Sequence, residues 1–256
     1  HSRQEFIDTN LTGTLNLLEE AVAGGVRAFV YTSTPSVFGD ALVPPPGEPA
    51  AWITEDVRPE PKNIYGVTKA AAEDLCQLFQ RNQKLPCIVL RTSRFFAEED
   101  DDRQARARFD DANLKVNEFL YRRVDIEDVV DAHLRAIERA PALGFGRYII
   151  SATTPFGRED MPRLRGDMGS VLRERVPAFE AEYARRGWQL PAGIDRVYVN
   201  ARAREDLGWR PRHDFAALLR RLGEGGGVLS ALAQRIGAKG YHAETFEDGP
   251  YPVESH

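Results

Sequence analysis

A tyrosine and a lysine four residues apart, Tyr65 and Lys69, have the residue types and spacing for acid–base chemistry. They lie in the segment 63–75, whose pattern predicts the start of a helix, so both side chains should share one helix face. A phenol titrates near pH ~10, and a base that works near neutrality needs a pKa lowered by about three units. A lysine about 4–6 Å away supplies roughly one to three of them. The same spacing also occurs where the tyrosine only packs and the lysine is only solvated, so the neighbouring segments must decide.

Helical and strand patterns alternate through this part of the chain. Residues 3–23 predict an amphipathic helix that ends at two glycines, and residues 26–33 predict a buried strand. A helix over residues 64–82 and a second buried strand over residues 87–92 follow. Such alternation is typical of a doubly wound α/β fold with a parallel sheet. The first strand runs into the hydroxyl-rich segment 32–39, and ligands bind at the carboxyl ends of strands in such sheets.

Two loops interrupt the alternation. The proline-rich residues 41–63 cannot form a helix or an inner strand, and we interpret them as one irregular loop. Loops of this length are uncommon in compact domains and are usually functional. Residues 98–111, which are first acidic and then basic, predict a solvent-exposed loop or lid.

The rest of the chain predicts shorter elements. Helices are predicted over 112–122, 126–139, 157–187 and 201–207, a third strand over 146–151 and a short strand over 196–199. The apolar face of the 126–139 helix is predicted to consist of Ile126, Val129, Val130, Leu134 and Ile137. Asp214 is expected to cap a helix that begins at the next residue. The last twenty residues are weakly patterned and predict a tail or an oligomer arm.

The composition is that of an ordinary globular protein, with 42% hydrophobic and 29% charged residues among 256 and a mean hydropathy of −0.43. A net charge of −5 and a pI near 5.7 argue against nucleic acid as a partner. No apolar run approaches a membrane span, and we expect neither a membrane partner nor a secretory leader. Cys76 and Cys87 give neither a disulfide framework nor a metal site, so we expect a reducing, cytoplasmic location. The histidines share no metal-ligand spacing, and no metal is predicted.

Four features follow one another in a fixed order along the chain. They are the hydroxyl-rich strand end at residues 32–34, the Tyr65–Lys69 pair, a strand end at residues 91–96, and the segment RRVDIEDV at the start of a helix. In this order they resemble the extended short-chain dehydrogenase/reductase family, and within it the NAD-dependent epimerase/dehydratase group. The matching segments are NLTGTLNLLEEAVAGGVRAFVYTSTPSVFG, NIYGVTKAAAE, VLRTSRFF, RRVDIEDVVDA and AREDLGWRP, spread over residues 10–211.

The resemblance implies catalytic roles. Tyr65 matches the family's catalytic tyrosine, and Lys69 matches the lysine that binds the nicotinamide ribose and lowers the pKa of the tyrosine. Thr34 takes the place of the serine or threonine that hydrogen-bonds the reacting oxygen, and Thr34 and Ser36 are assigned to substrate binding. This is physically sensible, because a hydroxyl donor and a phenolate acceptor can both reach one substrate hydroxyl as its proton leaves.

Four more positions are implied to contact the cofactor. Thr32 and Ser33 are expected to lie along it, with ordinary strand-end hydroxyls as the alternative. Phe95 and Phe96 fall where the family contacts the nicotinamide ring, with core packing as the alternative. NAD and NADP remain equally open, because the residue that distinguishes them follows an earlier strand of the family's fold.

Arg94 departs from the pattern, since several sugar-nucleotide epimerases carry a substrate-facing asparagine there. Its guanidinium suits a carboxylate or a phosphate of the substrate, and a salt bridge to the acidic residues 98–102 is the alternative. Asn10 matches a helix asparagine near the cofactor, for which a structural role is expected. Asp128 is expected to cap its helix.

Two further departures concern whole segments. The family begins with a strand and a GxxGxxG turn that brings the pyrophosphate to a helix N-terminus. The glycine-rich residues 223–227 follow a predicted helix, which is the wrong context for that turn. We expect that roughly 80–100 residues of the family's first half, at about 30 per βαβ unit, are absent from this sequence. Only 24 residues separate Phe96 from Tyr121, where sugar-nucleotide epimerases insert a larger lobe, so the resemblance implies a small substrate such as a free sugar, a sugar acid or another carbonyl compound.

We therefore predict an α/β fold with a Rossmann-like doubly wound parallel sheet and a small, mostly helical substrate lobe. Residues 1–155 are expected to form the C-terminal portion of the NAD(P)-binding domain with a lobe insertion near 97–122, residues 156–235 most of the lobe, and residues 236–256 a tail. The expected function is NAD(P)-dependent epimerase/dehydratase chemistry on a secondary alcohol of a sugar-like small molecule, in a homodimer by analogy. The alternatives are net dehydrogenation or reduction of a free sugar, uronic acid or other small carbonyl compound, and a non-catalytic cofactor sensor.

Overall fold

A parallel three-stranded sheet lies at the centre of the residues that the computed structural model describes, 2–100 and 102–238. In chain order, the strands of that part are β1 (Phe29–Ser33), β2 (Ala51–Ile53), β3 (Cys87–Thr92), β4 (Phe145–Ile150) and β5 (Arg196–Tyr198). β3 is central and pairs in parallel with β1 on one side and β4 on the other. Ser33 is level with Arg91, and Thr92 is level with Ile150, so the three carboxyl ends meet at one edge. The predicted α/β class with a parallel sheet is confirmed.

Helices cover both faces of this sheet. In chain order, those of the described part are α1 (Arg3–Phe6), α2 (Gly13–Ala23), α3 (Ile64–Gln83), α4 (Arg103–Arg108), α5 (Asp111–Glu118), α6 (Ile126–Leu143), α7 (Met161–Leu164), α8 (Met168–Arg175), α9 (Phe179–Arg186), α10 (Ala201–Asp206), α11 (Phe215–Gly223) and α12 (Ala231–Ile236). Cys87 and Val89 of β3 pack with α2 and α3, whereas Ile88 and Leu90 pack with α6. Because successive strand residues point to opposite faces, this fully apolar run is buried on both sides.

The helix α3 carries the predicted tyrosine–lysine pair. The Asn63 side chain caps its N-terminus by accepting from the backbone N–H of Gly66 at 2.8 Å, and Lys84 ends it with a left-handed φ of 60°. Thr68, Ala72, Cys76 and Phe79 form its buried side. Leu78 of the same helix is 44% exposed and lies outside this buried side.

The predicted helix over residues 3–23 contains an irregularity. α1 and α2 are joined by a π-helical turn, Ile7–Thr12, in which Asn10 donates to the Thr68 hydroxyl at 3.1 Å. Asn10 therefore links this helix to α3. The apolar periodicity of the sequence does not register such a turn, since the chain stays helical through it.

The prediction of one irregular loop over residues 41–63 is wrong in part. Residues 51–53 form β2, which pairs in parallel with β5. This tripeptide is free of proline, so it can supply the backbone donors that the flanking prolines lack. The preceding proline run is fixed by Arg165, whose Nη1 donates to the carbonyl oxygens of Pro44, Pro45 and Glu48 at 3.0, 2.7 and 3.1 Å.

The apolar face predicted for the helix at 126–139 is wrong in part. Val130, Leu134 and Ile137 of α6 are 44, 55 and 51% exposed. Val129 is buried as predicted, and the small residues Ala132, Ala136 and Ala140 form the rest of the apolar buried face. Alanines spaced by four let the helix approach the sheet closely, and their small size makes this face less apparent than the larger exposed stripe.

One of two predicted aspartate caps is present, and the acidic loop differs from its prediction. Asp214 caps α11 by accepting from Ala217 N–H, as predicted. Asp125, rather than Asp128, caps α6. Asp128 is buried and accepts from the backbone N–H groups of Arg212 and His213, both at 2.9 Å. The acidic loop is not simply solvent-exposed, because α4 forms within it and Asp100 is 7% exposed.

A second hydrophobic core lies beside the sheet. It is made of side chains from α5, α7, α8, α9 and α11, together with Ala50 and Val197. The charged region predicted as helical over 157–187 is divided into α7, α8 and α9 because glycines and prolines interrupt it. Among the described residues, no helix has the length and apolar character needed to cross a membrane. Most of the predicted tail, residues 239–256, lies outside the described residues.

Candidate active site

Lys69 connects α3 to the carboxyl end of β1. Its Nζ donates to the backbone carbonyl O of Thr32 at 2.7 Å and lies 4.2 Å from the centroid of the Tyr31 ring. Burial lowers the pKa of Lys69 to about 8, and the charge of Glu73 offsets part of this effect. The lysine therefore has a fixed position and a weakly held proton at the sheet edge where ligands are expected.

Tyr65 lies in the first turn of α3, on the same helix face as Lys69. It is half-buried, and its ring meets the ring of Phe6 edge-on with centroids 6.2 Å apart. The next residue, Gly66, fits closely against the segment after β1, since a Cβ atom there would lie 2.6 Å from the Ser36 carbonyl O. This contact holds the start of α3 against the segment that carries Thr34.

Thr34 and Ser36 form a hydroxyl pair directly beyond β1. Thr34 has an extended backbone, and its Oγ1 accepts from the backbone N–H of Ser36 at 3.1 Å. The Thr34 hydroxyl donates to Ser36 Oγ, also at 3.1 Å. Both side chains are half-buried. The structure thus brings the two predicted substrate-binding hydroxyls together at the edge that Tyr65 and Lys69 occupy.

Thr32 and Ser33 point in opposite directions, as alternate strand residues do. Thr32 is exposed, and its hydroxyl lies 2.8 Å from Nε2 of His133 on α6. His133 Nδ1 lies 2.8 Å from the Val129 carbonyl O, so Nδ1 carries the proton and Nε2 accepts from Thr32. No role was predicted for His133, and a separation of 101 residues provides no local signal for this contact.

Glu73 forms a buried ionic centre beneath the site. Its carboxylate accepts from the Ser33 hydroxyl at 2.6 Å, from Arg91 at 2.8–3.3 Å and from Arg147 Nε at 3.1 Å. The Arg91 guanidinium in turn lies 4.7 Å from the centroid of the Phe38 ring. Glu73 therefore joins α3 to β1, β3 and β4. The Ser33 hydroxyl is directed at this centre rather than at a ligand.

Phe95 and Phe96 lie beyond the end of β3, with ring centroids 4.1 Å apart. Together with Ile126 and residues of α12 they line an apolar cavity of about 140 Å³. The backbone carbonyl O of Phe96 accepts from the buried Arg123 side chain. Both rings are half-buried. This exposure suits either predicted role, contact with a nicotinamide ring or packing against the core.

Arg94 forms the salt bridge that was one of its two predicted roles. Its Nη1 lies 3.1 Å from Asp100 Oδ2, and its Nη2 donates to the Glu99 carbonyl O at 2.8 Å. Arg122 lies 3.2 Å from the same Asp100 oxygen. Two guanidinium groups thus share one carboxylate at the carboxyl end of the sheet.

The described residues fit one end of a nicotinamide cofactor. Lys69 has three N–H donors, of which one is used by Thr32, and the exposed Thr32 and the Phe95–Phe96 pair lie at the same sheet edge. These groups suit a ribose with its hydroxyls and a flat ring. Within the described residues no glycine-rich turn joins a strand to a helix, since the glycines at 223–227 follow α11. The described part of the chain also contains no cluster of three or more His, Cys, Asp or Glu side chains able to hold a metal ion.

Comparison with known proteins places this geometry in a family. The model of the NAD dependent epimerase/dehydratase family matches residues 1–150. GDP-6-deoxy-D-mannose reductase of Pseudomonas aeruginosa is 32% identical over 239 residues, which cover 84% of this chain and 71% of that protein. UDP-arabinose 4-epimerase 1 of Arabidopsis thaliana is 27% identical, with 80% of this chain and 52% of that protein covered. The chain therefore spans only part of the length of these relatives.

Solved structures agree on the fold. The structure of RMD from Pseudomonas aeruginosa complexed with NADPH has a TM-score of 0.51 and 26% identity, with 82% of this chain and 71% of that chain covered. UDP-N-acetylglucosamine 4-epimerase from Bacillus cereus has a TM-score of 0.56 at 18% identity, with 86% and 71% covered, which shows likeness of fold alone. The predicted Rossmann-like fold is confirmed. The family match over more than half of the chain and the 32% identity show that this chain belongs to the NAD-dependent epimerase/dehydratase family.

Proposed function

We propose that this protein is an NAD(P)-dependent enzyme of the epimerase/dehydratase type that oxidises a secondary alcohol of a sugar-like substrate. The observation that carries the proposal is the convergence of Thr34, Tyr65 and Lys69 at one sheet edge, held by the contacts of Lys69 with Thr32 and of Gly66 with Ser36. Family membership supports the same chemistry, because the relatives are named as sugar epimerases, dehydratases and reductases.

Each residue of the site has a distinct task in this proposal. Tyr65 accepts the proton of the substrate hydroxyl, and the positive charge of Lys69 on the same helix face favours the phenolate that does so. The Thr34 hydroxyl donates to Ser36 Oγ in the structure, so we assign the Ser36 O–H as the donor of this pair to the substrate oxygen. Together these groups hold the reacting oxygen in one place while its proton leaves.

The nicotinamide, when bound, supplies the hydride acceptor, and this chemistry belongs to the cofactor. We assign the ribose hydroxyls to Lys69 and the exposed Thr32 hydroxyl, and the ring face to Phe95 and Phe96. Ser33 contributes only through its backbone, because its hydroxyl binds Glu73. Similar solved structures carry NADPH in one case and NAD in another. The turnover assay described next is therefore run with each of the two cofactors.

The decisive experiment replaces Tyr65 by Phe. Turnover of UDP-glucose, GDP-sugars, free aldoses and uronic acids is followed by product chromatography and by absorbance at the wavelength of the reduced nicotinamide. Loss of a positioned acid or base lowers turnover by roughly 10²–10⁴-fold, so kcat of the Tyr65→Phe variant should fall by at least 100-fold. Tyr183→Phe is the matched control, because it removes a phenol that binds Asn117 within the other core. An unchanged rate in Tyr65→Phe would refute the assignment.

Net dehydrogenation or reduction of a free sugar, uronic acid or other small carbonyl compound is the second candidate, and within it the pairing of Arg94 with Asp100 favours the neutral free sugar. The same assay separates the two. Accumulation of reduced nicotinamide in proportion to substrate indicates a dehydrogenase, whereas epimerisation returns the hydride and leaves the absorbance unchanged. Binding of cofactor without any turnover would indicate a sensor.

We also propose a homodimer in a reducing, cytoplasmic compartment. Leu17 on α2 is 62% exposed, and Val67 and Leu78 on the neighbouring α3 are 46% and 44% exposed, so these helices present an apolar surface. Cys76 and Cys87 are both buried free thiols, which suits a reducing location. Sedimentation of Leu78→Asp against wild type tests the dimer, with a shift to monomer expected.

The division of the chain follows the two kinds of core. We propose that residues 1–155, with the insertion near 97–122, form the sheet domain, and that residues 156–235 contribute most of a substrate lobe. The separate core around α7, α8, α9 and α11 supports this division, although α5 from the insertion and Ala50 also belong to it.

A further inference from the structure

Among the described residues of its loop, Asp100 is the least exposed charged group. Its Oδ2 lies 3.1 Å from Arg94 Nη1 and 3.2 Å from Arg122 Nη2, while its Oδ1 accepts from the backbone N–H of Asp102 at 2.8 Å. Its carbonyl O accepts from Arg106. The Asp100 side chain is 6% exposed, whereas those of Arg94 and Arg122 are 23% and 27% exposed. Both arginine side chains are thus partly exposed, and the Asp100 carboxylate lies between them.

This guanidinium pair lies at the sheet edge that carries the candidate active site. Arg94 is two residues beyond the last residue of β3, and its backbone forms a parallel bridge with Arg123, next to Arg122. Ser33 of β1 is level with Arg91 of β3, so Thr34 follows at the neighbouring strand end. A substrate that reaches Thr34 and extends across β3 would therefore meet Arg94 and Arg122.

Charge counting shows what Asp100 does to this position. Glu118 pairs with Arg122 at 2.8 Å and with Arg123 at 2.7 Å. Among the described residues, the Asp100 carboxylate pairs with Arg94 and Arg122, and the Glu118 carboxylate pairs with Arg122 and Arg123. Removal of the Asp100 charge takes one of these two negative charges away from the three arginines. A cluster of arginines with less compensating charge is a stronger binding site for a phosphate or a carboxylate.

We propose that Asp100 is a specificity-determining residue whose carboxylate occupies the Arg94–Arg122 pair and excludes an anionic group of the substrate from it. Relatives named for UDP-, GDP- and dTDP-sugars act on molecules with an anionic diphosphate. In this chain an internal carboxylate pairs with the two guanidinium groups and so competes with any anionic group of a ligand for them. The substrate class is therefore a sugar-like molecule that is neutral at the end that contacts β3. This inference rests on the proposed function only for calling the ligand a substrate.

Binding of inorganic pyrophosphate, measured by isothermal titration on the protein without turnover, tests the proposal. Wild type should bind pyrophosphate weakly, and Asp100→Asn should bind it at least tenfold more tightly. Glu99→Gln is the matched control, because it removes the same charge from an exposed side chain one residue away, whereas the contact of Glu99 with Arg94 is made by its backbone carbonyl O. It should leave binding unchanged. Arg122→Gln added to Asp100→Asn should abolish the gain and so locate the site.

Two results would overturn the proposal. One is equal binding of pyrophosphate by wild type and by folded Asp100→Asn. The other is tight binding of pyrophosphate or UDP by wild type that is lost in Arg122→Gln, which would mean that Asp100 yields its place to anions. The second result decides the question even if Asp100→Asn fails to fold in circular dichroism. The pyrophosphate experiment measures binding and no turnover. A protein without enzymatic activity would therefore contradict the proposed function but would not change the binding result.

Discussion

Lys69 Nζ donates to the carbonyl O of Thr32 at 2.7 Å, a contact that ties the first turns of α3 to the last residues of β1. The ammonium group is held within the protein, 4.2 Å from the centroid of the Tyr31 ring, where burial weakens its hold on the proton. A charged group placed in this way lowers stability in exchange for its position beside Tyr65. This cost has a measurable dependence on pH.

Lys69 should make the protein more stable as the pH rises from 8 to 10.5. Its pKa is about 8 in the folded chain and 10.5 without these surroundings, so between these values the unfolded chain binds more protons. The penalty is present in full below pH 8 and is relieved above it. Between pH 7 and pH 10, the free energy of unfolding of wild type should rise by about 2–3 kcal/mol relative to Lys69→Met.

Urea unfolding of both proteins at the two pH values measures this difference. Subtracting the free energy of unfolding of Lys69→Met from that of wild type cancels the contributions of groups that titrate equally in both proteins. At pH 7 the variant should also lack turnover while losing little stability, because Met keeps most of the apolar stem. A constant difference between wild type and variant across this pH range would show that the pKa of Lys69 is not lowered.

Replacement of Glu73 by Gln should destabilise the protein strongly. The buried carboxylate is the shared acceptor for Ser33, Arg91 and Arg147, and its neutralisation removes the ion-pair partner of the buried Arg91 guanidinium. Breaking a buried ion pair in this way costs about 3–5 kcal/mol. Chemical denaturation at neutral pH measures the change.

Asp74→Asn is the control for Glu73→Gln. Asp74 also pairs with Arg147, at 2.7 Å, but its side chain is 79% exposed. An exposed pair contributes only about 0–1 kcal/mol, so this variant should remain close to wild type. If the two variants lost equal stability, the buried centre would not be the link between α3 and the strands.

The repeating elements of the fold were predictable because local patterns specify them. The bounds of β3 are those predicted, and α3 differs from its prediction by one residue, since an apolar run and an Asn63 cap suffice to define them. Contacts between distant segments had no such signal. His133 meets Thr32 across 101 residues, and Arg165 reaches Pro44 across 121.

Side-chain direction was the harder part of the site to predict. Ser33 was expected to lie along a cofactor, but alternation along β1 turns its hydroxyl inward to Glu73. Asp100 belongs to a loop interpreted as solvent-exposed, and the approach of Arg122 from 22 residues away, together with Arg94, covers its carboxylate. The spacing of Tyr65 and Lys69 within one helix was enough to place that pair on one face.

A methyl group at Gly66 should impair turnover by moving α3 away from the segment after β1. The Cβ atom of Gly66→Ala would lie 2.6 Å from the Ser36 carbonyl O, and this neighbour is backbone, which cannot rotate aside. The displacement would act directly between Thr34 and Tyr65. Because a misplacement of about 1 Å can cost roughly 100-fold, kcat should fall by 10- to 100-fold.

Gly169→Ala is the control for this change. Gly169 lies inside α8, and its added Cβ would meet no atom within 4 Å. Alanine is a better helix former than glycine by about 1 kcal/mol, so this variant should keep its activity and unfold at a higher urea concentration. Full activity in Gly66→Ala would show that the close contact is not needed to align the site.

His133 on α6 and His213, which precedes α11, should have opposite tautomers when their rings are neutral. His213 Nδ1 lies 3.2 Å from the guanidinium of Arg221, which can only donate, and its Nε2 lies 3.1 Å from a Glu127 carboxylate oxygen. His213 therefore carries its proton on Nε2. His133 carries its proton on Nδ1, because that atom faces a backbone carbonyl O.

Long-range ¹H–¹⁵N correlation spectra of histidine-labelled protein near pH 8 distinguish these forms, with His133→Gln and His213→Gln assigning the two rings. The expected spectrum shows an unprotonated Nε2 for His133 and an unprotonated Nδ1 for His213. A proton on Nε2 of His133 would reverse the bond, so that the Thr32 hydroxyl would become the acceptor and its own proton would turn to solvent. The tautomer of His133 therefore determines whether Thr32 offers a lone pair or a proton to a ligand at the end of β1.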